Sequence, residues 1–558
     1  MKRISLLILS IFLYCLAKGD IILVPDDYDT IQSAVNAVND GDTIIVEHGT
    51  YNENIVANHS SFTLASRYLL DEDSSHIDST IIRALDNNDY YSPIRVYLER
   101  EDLVHIAGLS ITGGRLGHPN HNYHSQSGGG IYIEGGSFYL QNCSIFDNIA
   151  WSGGGIHLEE TEGIVEYCSI YNNRFKLCGG GICFSLDEHL EDDRTGRVTF
   201  ENNHIHNNMM VDSTFAGTWG GGIGIACQWS VAGIIHNNII EGNVVIQDGG
   251  GIAIGFSNMV EQNEWLISGN TISNNSASFG GGIQTNGVYR LNFHHNTVEF
   301  NSATDGWGDA IDIANEFSPI NNIHHNLFRN NHGDLGGSII TKADCNIYNN
   351  MFINNYARYM SVIMLWRGHN RGGITAEVEG NIFFNNGFDV NDPDVYVAAV
   401  SAYTTDNIIN LNHNDFIGNR GYAVGLPEPG VLLPGEINAD SNYWGDPSGP
   451  YHSEENPNGL GDTVRSNISI EPFSTTPFTA PEPITVNYPF DGDEFAENEM
   501  FFWWQSTSDA TTLTPLQYGV ELADEDEFEE SEEYDTGENT DLVVENLLYD
   551  HTYYWRVF

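Results

Sequence analysis

Short apolar stretches alternate with polar residues along most of the chain, and they recur in a unit that is repeated many times. In each copy a glycine-rich turn leads into an apolar stretch, as in residues 153–156 (Gly-Gly-Gly-Ile). Further on comes an Asn or Cys with one apolar residue three positions before it and another two positions after it. Apolar side chains at every second position are typical of a β-strand with one buried face. The pattern therefore predicts many short strands.

The Asn or Cys of each unit belongs to a regular series, which we call the first ladder. Successive members are separated by 24 residues (Asn326 to Asn350) to 35 residues (Cys168 to Asn203). A period of this length indicates stacked units rather than one globular core. The first ladder consists of Cys143, Cys168, Asn203, Asn238, Asn270, Asn296, Asn326, Asn350, Asn381, Asn414 and Asn442.

The repeat predicts an all-β fold, namely a right-handed parallel β-helix of about a dozen coils. Each unit is too short to hold a crossover helix, whereas three short strands per coil would stack on the next coil about 4.8 Å away. In this arrangement the first ladder becomes a buried column of amides, in which each side chain bonds its copies above and below.

The glycine turns and the ladder positions resemble the pectin-lyase-like right-handed β-helix superfamily. Residues 144–150 followed by the turn at 153–156 also resemble the repeat of chlamydial polymorphic outer-membrane proteins, which are surface proteins and adhesins. The superfamily contains lyases, glycosidases, epimerases and non-enzymatic adhesins, so the resemblance implies the fold but not the reaction. The chain lacks the Arg-x-Pro-x-x-Arg of pectate lyases, the polygalacturonase motifs and the Asp-Pro-His-Glu of alginate epimerases, so no catalytic residue is carried over.

The two ends of the chain differ from the repeats. Residues 1–19 have the basic, apolar and small-residue segments of a secretory signal peptide, which predicts a secreted protein without a membrane span in the mature chain. The β-helix is expected over residues 20–474, with a cap helix near 29–40 and a C-terminal cap near 440–474. A Thr/Pro linker at 475–483 precedes residues 484–558, whose alternating strands resemble a fibronectin type III domain, and the sequence stops before the last strand of such a domain.

The chain is strongly acidic, with 77 Asp and Glu against 21 Lys and Arg and a formal net charge of −56. Because no basic stripe is available to replace phosphate counterions, nucleic acid is excluded as a partner. Solubility in a salty habitat and Ca²⁺ binding both account for such a charge, and no other cofactor is indicated.

Cys143 and Cys168 occupy the first ladder in adjacent coils. Their Cα atoms are expected near 5 Å apart, which is within disulfide range. Two arrangements remain open: a disulfide, or a stacked pair of free thiols that replaces two Asn residues.

Basic residues are scarce, so their positions are informative. Asp309 and Asp312 follow a glycine turn one coil before Lys342, and Arg367 lies one coil further on. Trp307 and Trp366 flank the same positions. These residues predict either a catalytic cluster on one face, with Asp309 and Asp312 as candidate metal ligands, or scattered surface side chains.

A second candidate surface is the outward column two residues before the first ladder. Two interpretations of this column remain open: a sugar-binding strip, or ordinary polar side chains that face outward. Glu377 and Glu379 share a strand face, so their carboxylates could approach the separation found in glycosidases. The candidates in this column are His294, His324, Tyr348 and Glu379, with Glu377 beside them on the same strand. The spaced histidines His118, His121 and His124 predict a solvated loop in preference to a zinc site.

Three functions follow from these observations. The first is a bacterial secreted or cell-surface protein that binds polysaccharide or another surface in the manner of an adhesin, without catalysis. The second is a polysaccharide lyase or glycoside hydrolase acting on glycans that contain uronic acid. The third is a structural envelope protein. The expected partner is extracellular polysaccharide or a cell surface, and the sequence predicts no oligomeric state.

Overall fold

The computed structural model describes most of the repeat region and six strands near the C-terminus. The described residues are 19–58, 60–85, 92–115, 126–186, 196–211, 217–227, 231–256, 264–304, 306–314, 320–333, 337–357, 361–366, 373–387, 398–402, 407–425, 435–465, 468–478, 486–488, 499–504, 518–523, 531–537, 541–545 and 554–557. Residues 1–18 of the expected signal peptide, Arg367 and the three spaced histidines lie outside them. The chain forms two compact units, Met1–Thr475 and Thr476–Phe558.

Three long parallel sheets build the first unit. In each of them the strands follow the order of the sequence, and each coil contributes one strand to each sheet in turn. This is the topology of a parallel β-helix, so the fold predicted from the repeat is confirmed. The sheets have 15, 13 and 13 strands and are called sheet 1, sheet 2 and sheet 3.

The strands of the three sheets are short. Sheet 1 consists of Ile21–Val24, Asp42–Val46, Phe62–Ser66, Leu103–Ala107, Ser137–Gln141, Glu162–Glu166, Gly196–Glu201, Val231–His236, Glu264–Ser268, Arg290–His294, Asn321–His324, Cys345–Tyr348, Thr375–Glu379, Asn407–Asn412 and Gly435–Asn438. Sheet 2 consists of Gly49–Asn52, Thr80–Arg83, Ser110–Thr112, Ser144–Phe146, Ser169–Tyr171, His204–His206, Ile239–Glu241, Thr271–Ser273, Thr297–Glu299, Leu327–Arg329, Met351–Ile353, Ile382–Phe384 and Asp415–Ile417. Sheet 3 consists of Ile55–Asn58, Ile94–Tyr97, Ile131–Glu134, Ile156–Glu159, Ile182–Leu186, Ile223–Cys227, Ile252–Phe256, Ile283–Asn286, Ile311–Ile313, Ile339–Thr341, Ile363–Leu365, Ala398–Ala402 and Tyr422–Gly425.

Smaller parallel sheets lie at the turn between sheets 2 and 3 and in the closing segment. Their strands are Arg174–Phe175 with Met209–Met210, then Ser276–Ala277, Ser302–Ala303, His332–Gly333 and Tyr356–Ala357, and finally Pro450–Tyr451 with Gly461–Thr463.

One continuous core of inward-facing aliphatic and aromatic side chains runs through the coils. Alternate strand positions supply it, because the neighbouring positions face outward. The rings of Phe328, Phe352, Phe383 and Phe416 in sheet 2, followed by that of Trp444 in the closing segment, form a stack whose successive centroids are 4.7 to 4.9 Å apart. These distances match the coil spacing expected for paired strands.

The first ladder is a buried amide column, as the sequence predicts. Asn326, for example, donates from its backbone N and its Nδ2 to Asn350 Oδ1 at 3.0 and 2.9 Å. The residue before each ladder position turns the chain with a positive φ; Asn202 and Asn237 have values of 55° and 53°. Asn is favoured there because it tolerates the left-handed conformation.

A second amide ladder, which the sequence analysis did not identify, stands five residues after the first. Asn331 Nδ2 donates to Asn355 Oδ1 at 3.0 Å, and each neighbouring coil repeats this bond. At the C-terminal end Asn419 Nδ2 donates to Asp462 Oδ2 at 2.8 Å. Burial raises the pKa of Asp462 to about 6. The second ladder runs through Asn148, Asn173, Asn208, Asn243, Asn275, Asn301, Asn331, Asn355, Asn386 and Asn419.

The cap helix is shorter than predicted. Helix α1 spans Ile31–Val35, with Thr30 as N-cap accepting a hydrogen bond from the Ser33 N–H, so the expected start at Asp29 and the extension to residue 40 are wrong. Glu53 in the next coil accepts the backbone N–H groups of the first helical turn, which fixes α1 to the coil stack. Two further short helices, α2 at Tyr68–Asp71 and α3 at Ser75–Ser79, were not predicted.

In the second unit, the described residues form two antiparallel three-stranded sheets. One is formed by Val486–Tyr488, Glu499–Trp504 and Asp541–Glu545, and the other by Ser531–Gly537, Tyr518–Ala523 and Tyr554–Val557. The fibronectin type III resemblance of this segment stays a prediction.

Candidate functional site

Asp312 lies on the outer face of sheet 3. Its neighbours Ile311 and Ile313 point into the core, so the alternation of the strand directs Asp312 outward. The strand register places it beside Gln284 in one coil and Ile340 in the next. Its side chain is nevertheless only 3% exposed, and within the described part of the chain its Oδ1 atom has no hydrogen-bond partner.

Lys342 and two tryptophans surround the same position. The Nζ atom of Lys342 is 5.8 Å from the ring centroid of Trp307 and 5.9 Å from that of Trp366. The two indole rings meet edge to face, with centroids 4.6 Å apart. An ammonium group held by two aromatic faces gains cation–π stabilisation, and its position is fixed by them.

A second carboxyl group, which the sequence analysis missed, belongs to this site. Asp248 precedes the glycine turn of an earlier coil, and bridges on either side align it with Trp219 and Phe279. The sequence did contain a signal for Asp248. It is an acidic residue at a position just before the glycine turn that is aromatic in both adjacent coils. Since Asp248, Asp312 and Lys342 interact electrostatically, the site contains two carboxyl groups and one ammonium group.

Burial governs the ionisation of both carboxyl groups. It raises the pKa of Asp312 to about 7; the ammonium of Lys342 opposes this shift and the charge of Asp248 adds to it. Burial also raises the pKa of Asp248 to about 6, again against the effect of Lys342. A carboxyl group whose pKa lies near the working pH is suited to transfer a proton as a general acid or base.

Asp309 does not join this cluster, although the sequence placed it on the same face. It replaces the middle glycine of the turn, and its side chain is fully buried. A Cβ atom added to Gly333 would lie 1.6 Å from Asp309 Oδ1, so the carboxyl group packs against that glycine inside the coil. The prediction that Asp309 and Asp312 share one outer site is therefore wrong.

A second polar cluster lies on the outer face of sheet 3, several coils earlier. The Tyr132 hydroxyl is 2.7 Å from Glu134 Oε2 and 2.6 Å from Glu159 Oε2. The Arg95 guanidinium covers one face of the Tyr132 ring at 4.0 Å, and the His157 ring stacks nearly parallel to it at 5.6 Å. Burial, followed by these two carboxylates, raises the pKa of Tyr132. Outward polar side chains are thus concentrated on sheet 3 in two places.

The predicted strip on sheet 1 is partly an aromatic stack. The ring of His324 lies 4.9 Å from that of His294 and 4.6 Å from that of Tyr348, in nearly parallel planes. Glu377 and Glu379 are exposed on the same sheet and bind different partners, because Glu377 accepts from Asn410 Nδ2 at 2.7 Å and Glu379 Oε1 is 3.1 Å from His413 Nδ1. Sugar binding by this strip stays a prediction.

Cys143 and Cys168 are both free and buried in the structure. The Cys143 N–H donates to Cys168 Sγ at 3.4 Å, and the Cys168 N–H donates to Asn203 Oδ1 at 3.0 Å. Of the two arrangements left open by the sequence, the structure contains the stacked thiols.

Comparisons with known proteins identify the fold. A family model described as the right-handed beta helix region matches residues 104–264, and one described as periplasmic copper-binding protein (NosD) matches residues 197–368. A pectin methylesterase structure from Aspergillus niger is 12% identical over 48% of this chain and 81% of that chain, with a TM-score of 0.24. The structure of PfbA, a surface adhesin of Streptococcus pneumoniae, is 11% identical over 81% of this chain and all (100%) of that chain, with a TM-score of 0.26. No curated protein matches the sequence.

The matches to the β-helix family models, together with the parallel sheets, show a right-handed parallel β-helix. In the described parts of the chain, no helix is both long and apolar enough to span a bilayer. Within the same residues, no group of three or more His, Cys, Asp and Glu side chains is arranged to hold one metal ion.

Proposed function

We propose that this protein is a secreted or cell-surface β-helix protein that binds polysaccharide on the outer face of sheet 3. The observation that carries the proposal is the convergence of Trp307, Trp366, Lys342, Asp248 and Asp312 on one place of that face. Binding sites for small polar molecules commonly combine aromatic surface with a few polar groups that fix orientation. The expected signal peptide and the acidic composition support an extracellular location.

The same geometry favours glycans that contain uronic acid. The scarce ammonium of Lys342 offers an opposite charge for a sugar carboxylate. Because the pKa of Asp312 is about 7, its carboxyl group is partly protonated at neutral pH and is able to donate a hydrogen bond to a sugar oxygen. The indole rings of Trp307 and Trp366 supply apolar area for the C–H faces of a pyranose.

Hydrolysis is a second candidate function, and the raised pKa values of Asp248 and Asp312 are the specific observation in its favour. In that reaction protonated Asp312 gives its proton to the glycosidic oxygen as the C–O bond breaks. Asp248, as the carboxylate, takes a proton from the water whose oxygen bonds to the anomeric carbon. Water is thereby added across the bond, and the two carboxyl groups exchange protonation states.

Affinity electrophoresis in gels that contain acidic or neutral polysaccharides tests the proposal. We expect retardation by at least one acidic polysaccharide, and we expect Lys342→Gln and Trp366→Ala to weaken it at least tenfold. Lys176→Gln is the matched control, because Lys176 Nζ lies 5.5 Å from a single indole ring, that of Trp151, outside the proposed site. Equal retardation of the Lys342 and Lys176 variants, or no retardation by any polysaccharide, would overturn the proposal.

Product formation separates binding from catalysis. The protein would be incubated with each polysaccharide that retards it, with and without Ca²⁺. We would then measure new reducing ends and the absorbance of unsaturated uronate. Reducing ends formed by the wild type and absent with Asp312→Asn make the protein a hydrolase. If a polysaccharide retards the protein and neither product forms, the protein is a binding protein. Unsaturated uronate would contradict the hydrolytic step and indicate elimination.

A further inference from the structure

The residues that open the β-helix are anchored at the N-terminal edge of sheet 1. The backbone N–H of Asp20 donates to Asp42 Oδ1 at 2.8 Å, and the Asp20 carbonyl accepts from the Thr43 N–H at 2.9 Å. Strand Ile21–Val24 follows, pairs with strand Asp42–Val46 and is the outermost strand of the sheet. The bond to Asp42 therefore fixes the end at which the chain enters this edge strand.

Asp42 is a buried carboxyl group with several donors. It lies in the same strand row as the core residues Ile44 and Val46, and only 4% of its surface is exposed. Its Oδ2 atom accepts from the Asn39 N–H at 2.8 Å and from Asn39 Nδ2 at 3.2 Å. Burial alone raises the pKa of Asp42, but the hydrogen bonds from Asn39 and Asp20 outweigh it and lower the pKa. The group is therefore a carboxylate at neutral pH.

A buried carboxylate is costly unless an opposite charge accompanies it. Among the residues that the structure describes, no Lys, Arg or His side chain forms an ion pair with Asp42. The nitrogen of Asp20 differs from the other donors to this carboxylate, because the expected signal peptide ends at Gly19. Cleavage there converts the amide nitrogen of Asp20 into an α-ammonium group.

We propose that removal of the signal peptide creates an ion pair that fixes the first strand, in which the α-ammonium group of Asp20 binds the buried carboxylate of Asp42. Signal peptidase adds water across the Gly19–Asp20 peptide bond, so that Gly19 leaves as a carboxylate and the Asp20 nitrogen becomes protonated. A charge-assisted hydrogen bond is about twice as strong as a neutral one. The mature chain therefore holds its N-terminal strand more firmly than the precursor does.

The backbone around the cleavage position favours a chain end there. A Cβ atom added to Gly19 would lie 1.8 Å from the carbonyl oxygen of Gly41, so the uncleaved chain passes a gap that admits only glycine. Asp20 is exposed, so water can accept the two ammonium protons that do not face Asp42. The side chains of Asp20 itself and of Asp40 are exposed as well, which leaves Asp42 as the buried carboxylate at the new terminus.

The test measures the pKa of the α-amino group in the full chain, secreted with its own signal peptide. Peptide mass first identifies the N-terminal residue, which we expect to be Asp20. The rate of carbamylation by cyanate at several pH values then reports the unprotonated fraction of that amine. An α-amino group ordinarily has a pKa of about 7.7–8.0. We expect a pKa at least about one unit higher in the folded wild type, and hence labelling at about pH 7 that is about tenfold slower than in Asp42→Asn.

Asp40→Asn is the matched control. Its exposed carboxyl group accepts from the Ser61 N–H at 3.1 Å and does not bond Asp20, so this variant removes the same charge and should keep the slow labelling. A chain that begins at Gly19 needs no change at Asp42 and serves if Asp42→Asn does not fold. Its ammonium group is displaced by one residue and should be labelled at the ordinary rate.

Three results would overturn the proposal: a secreted chain that begins at another residue, equal labelling of the wild type and Asp42→Asn, or equally slow labelling of the chain that begins at Gly19. No polysaccharide takes part in these measurements. The ion pair at the N-terminus and the polysaccharide surface on sheet 3 can therefore fail independently of each other.

Discussion

Removal of one amide from the second ladder should destabilise the β-helix far more than removal of an outward Asn. Asn331 is fully buried, and its side chain takes part in four hydrogen bonds. It accepts from the N–H and the Nδ2 of Asn301, both at 3.1 Å, and donates to the Val298 carbonyl at 2.8 Å and to Asn355 Oδ1 at 3.0 Å. Asn331→Ala abolishes all four.

The expected loss follows from these contacts. At about 1 kcal/mol for each net hydrogen bond, the free energy of unfolding should fall by about 4 kcal/mol. Outward Asn322 supplies the comparison, since its side chain accepts one hydrogen bond, at 3.0 Å from Asn346 Nδ2, and is half-buried. Asn322→Ala should therefore cost about 1 kcal/mol or less.

Urea unfolding followed by intrinsic fluorescence measures both losses from the shift of the midpoint, provided that the dependence on urea is unchanged. Hydrogen exchange would place the weakened amides in the coils on either side of position 331. If the losses in free energy of unfolding of the two variants differed by less than about 1 kcal/mol, the reasoning would be refuted. The ladders would then fix only the register of the coils.

Three further predictions concern buried groups. Because Asp312 ionises less readily in the folded chain than in the unfolded chain, the folded protein loses stability as pH rises from about 4 to about 7. Asp312→Asn removes this loss, so the free energy of unfolding of the variant, measured with urea, should rise relative to the wild type over that window, by up to about 4 kcal/mol at pH 8. A pH-independent difference would contradict the assignment. Gly333→Ala should cost about 3 kcal/mol through its collision with Asp309 Oδ1, and Asp309→Gly in the same chain should restore much of it in a double-mutant cycle; no coupling would place the Asp309 carboxyl group elsewhere. Titration of the mature chain, unfolded without reductant, should find six thiols, since Cys143, Cys168, Cys178, Cys183, Cys227 and Cys345 are all free; four would indicate a disulfide.

The repeat made the coil architecture and the first ladder predictable, because both depend on local periodicity. The same signal contained the second ladder: Asn148, Asn173 and Asn208 each follow a first-ladder residue by five positions. Their burial was not predictable from strand alternation, because a period of two does not explain why a polar residue five positions after a buried one is also buried. The left-handed residue before each of them resets the alternation, and this is a property of the backbone turn.

The candidate site was less accessible to sequence reasoning. Asp309 and Asp312 are close in sequence, yet the turn directs one inward and the other outward. Asp248 is distant in sequence, yet only one coil lies between its own coil and that of Asp312, so the two carboxyl groups are within electrostatic reach of each other. Which outward positions meet depends on loop lengths and on the burial of the outer face of sheet 3, and neither follows from the period of the repeat.

The paired ladders also bear on how such a chain changes its length. Asn270 bonds Asn296, 26 residues further on, and Asn296 bonds Asn326 in the same way. Excision of residues 271–296 would set Asn270 opposite Asn326 and, in the second ladder, Asn243 opposite Asn301, so every amide would meet an equivalent partner. A gene that gains or loses one such segment thus encodes a longer or shorter protein in which both amide ladders stay continuous. The coil is therefore the natural unit of insertion and deletion, and length is a trait that selection can adjust in steps of one coil.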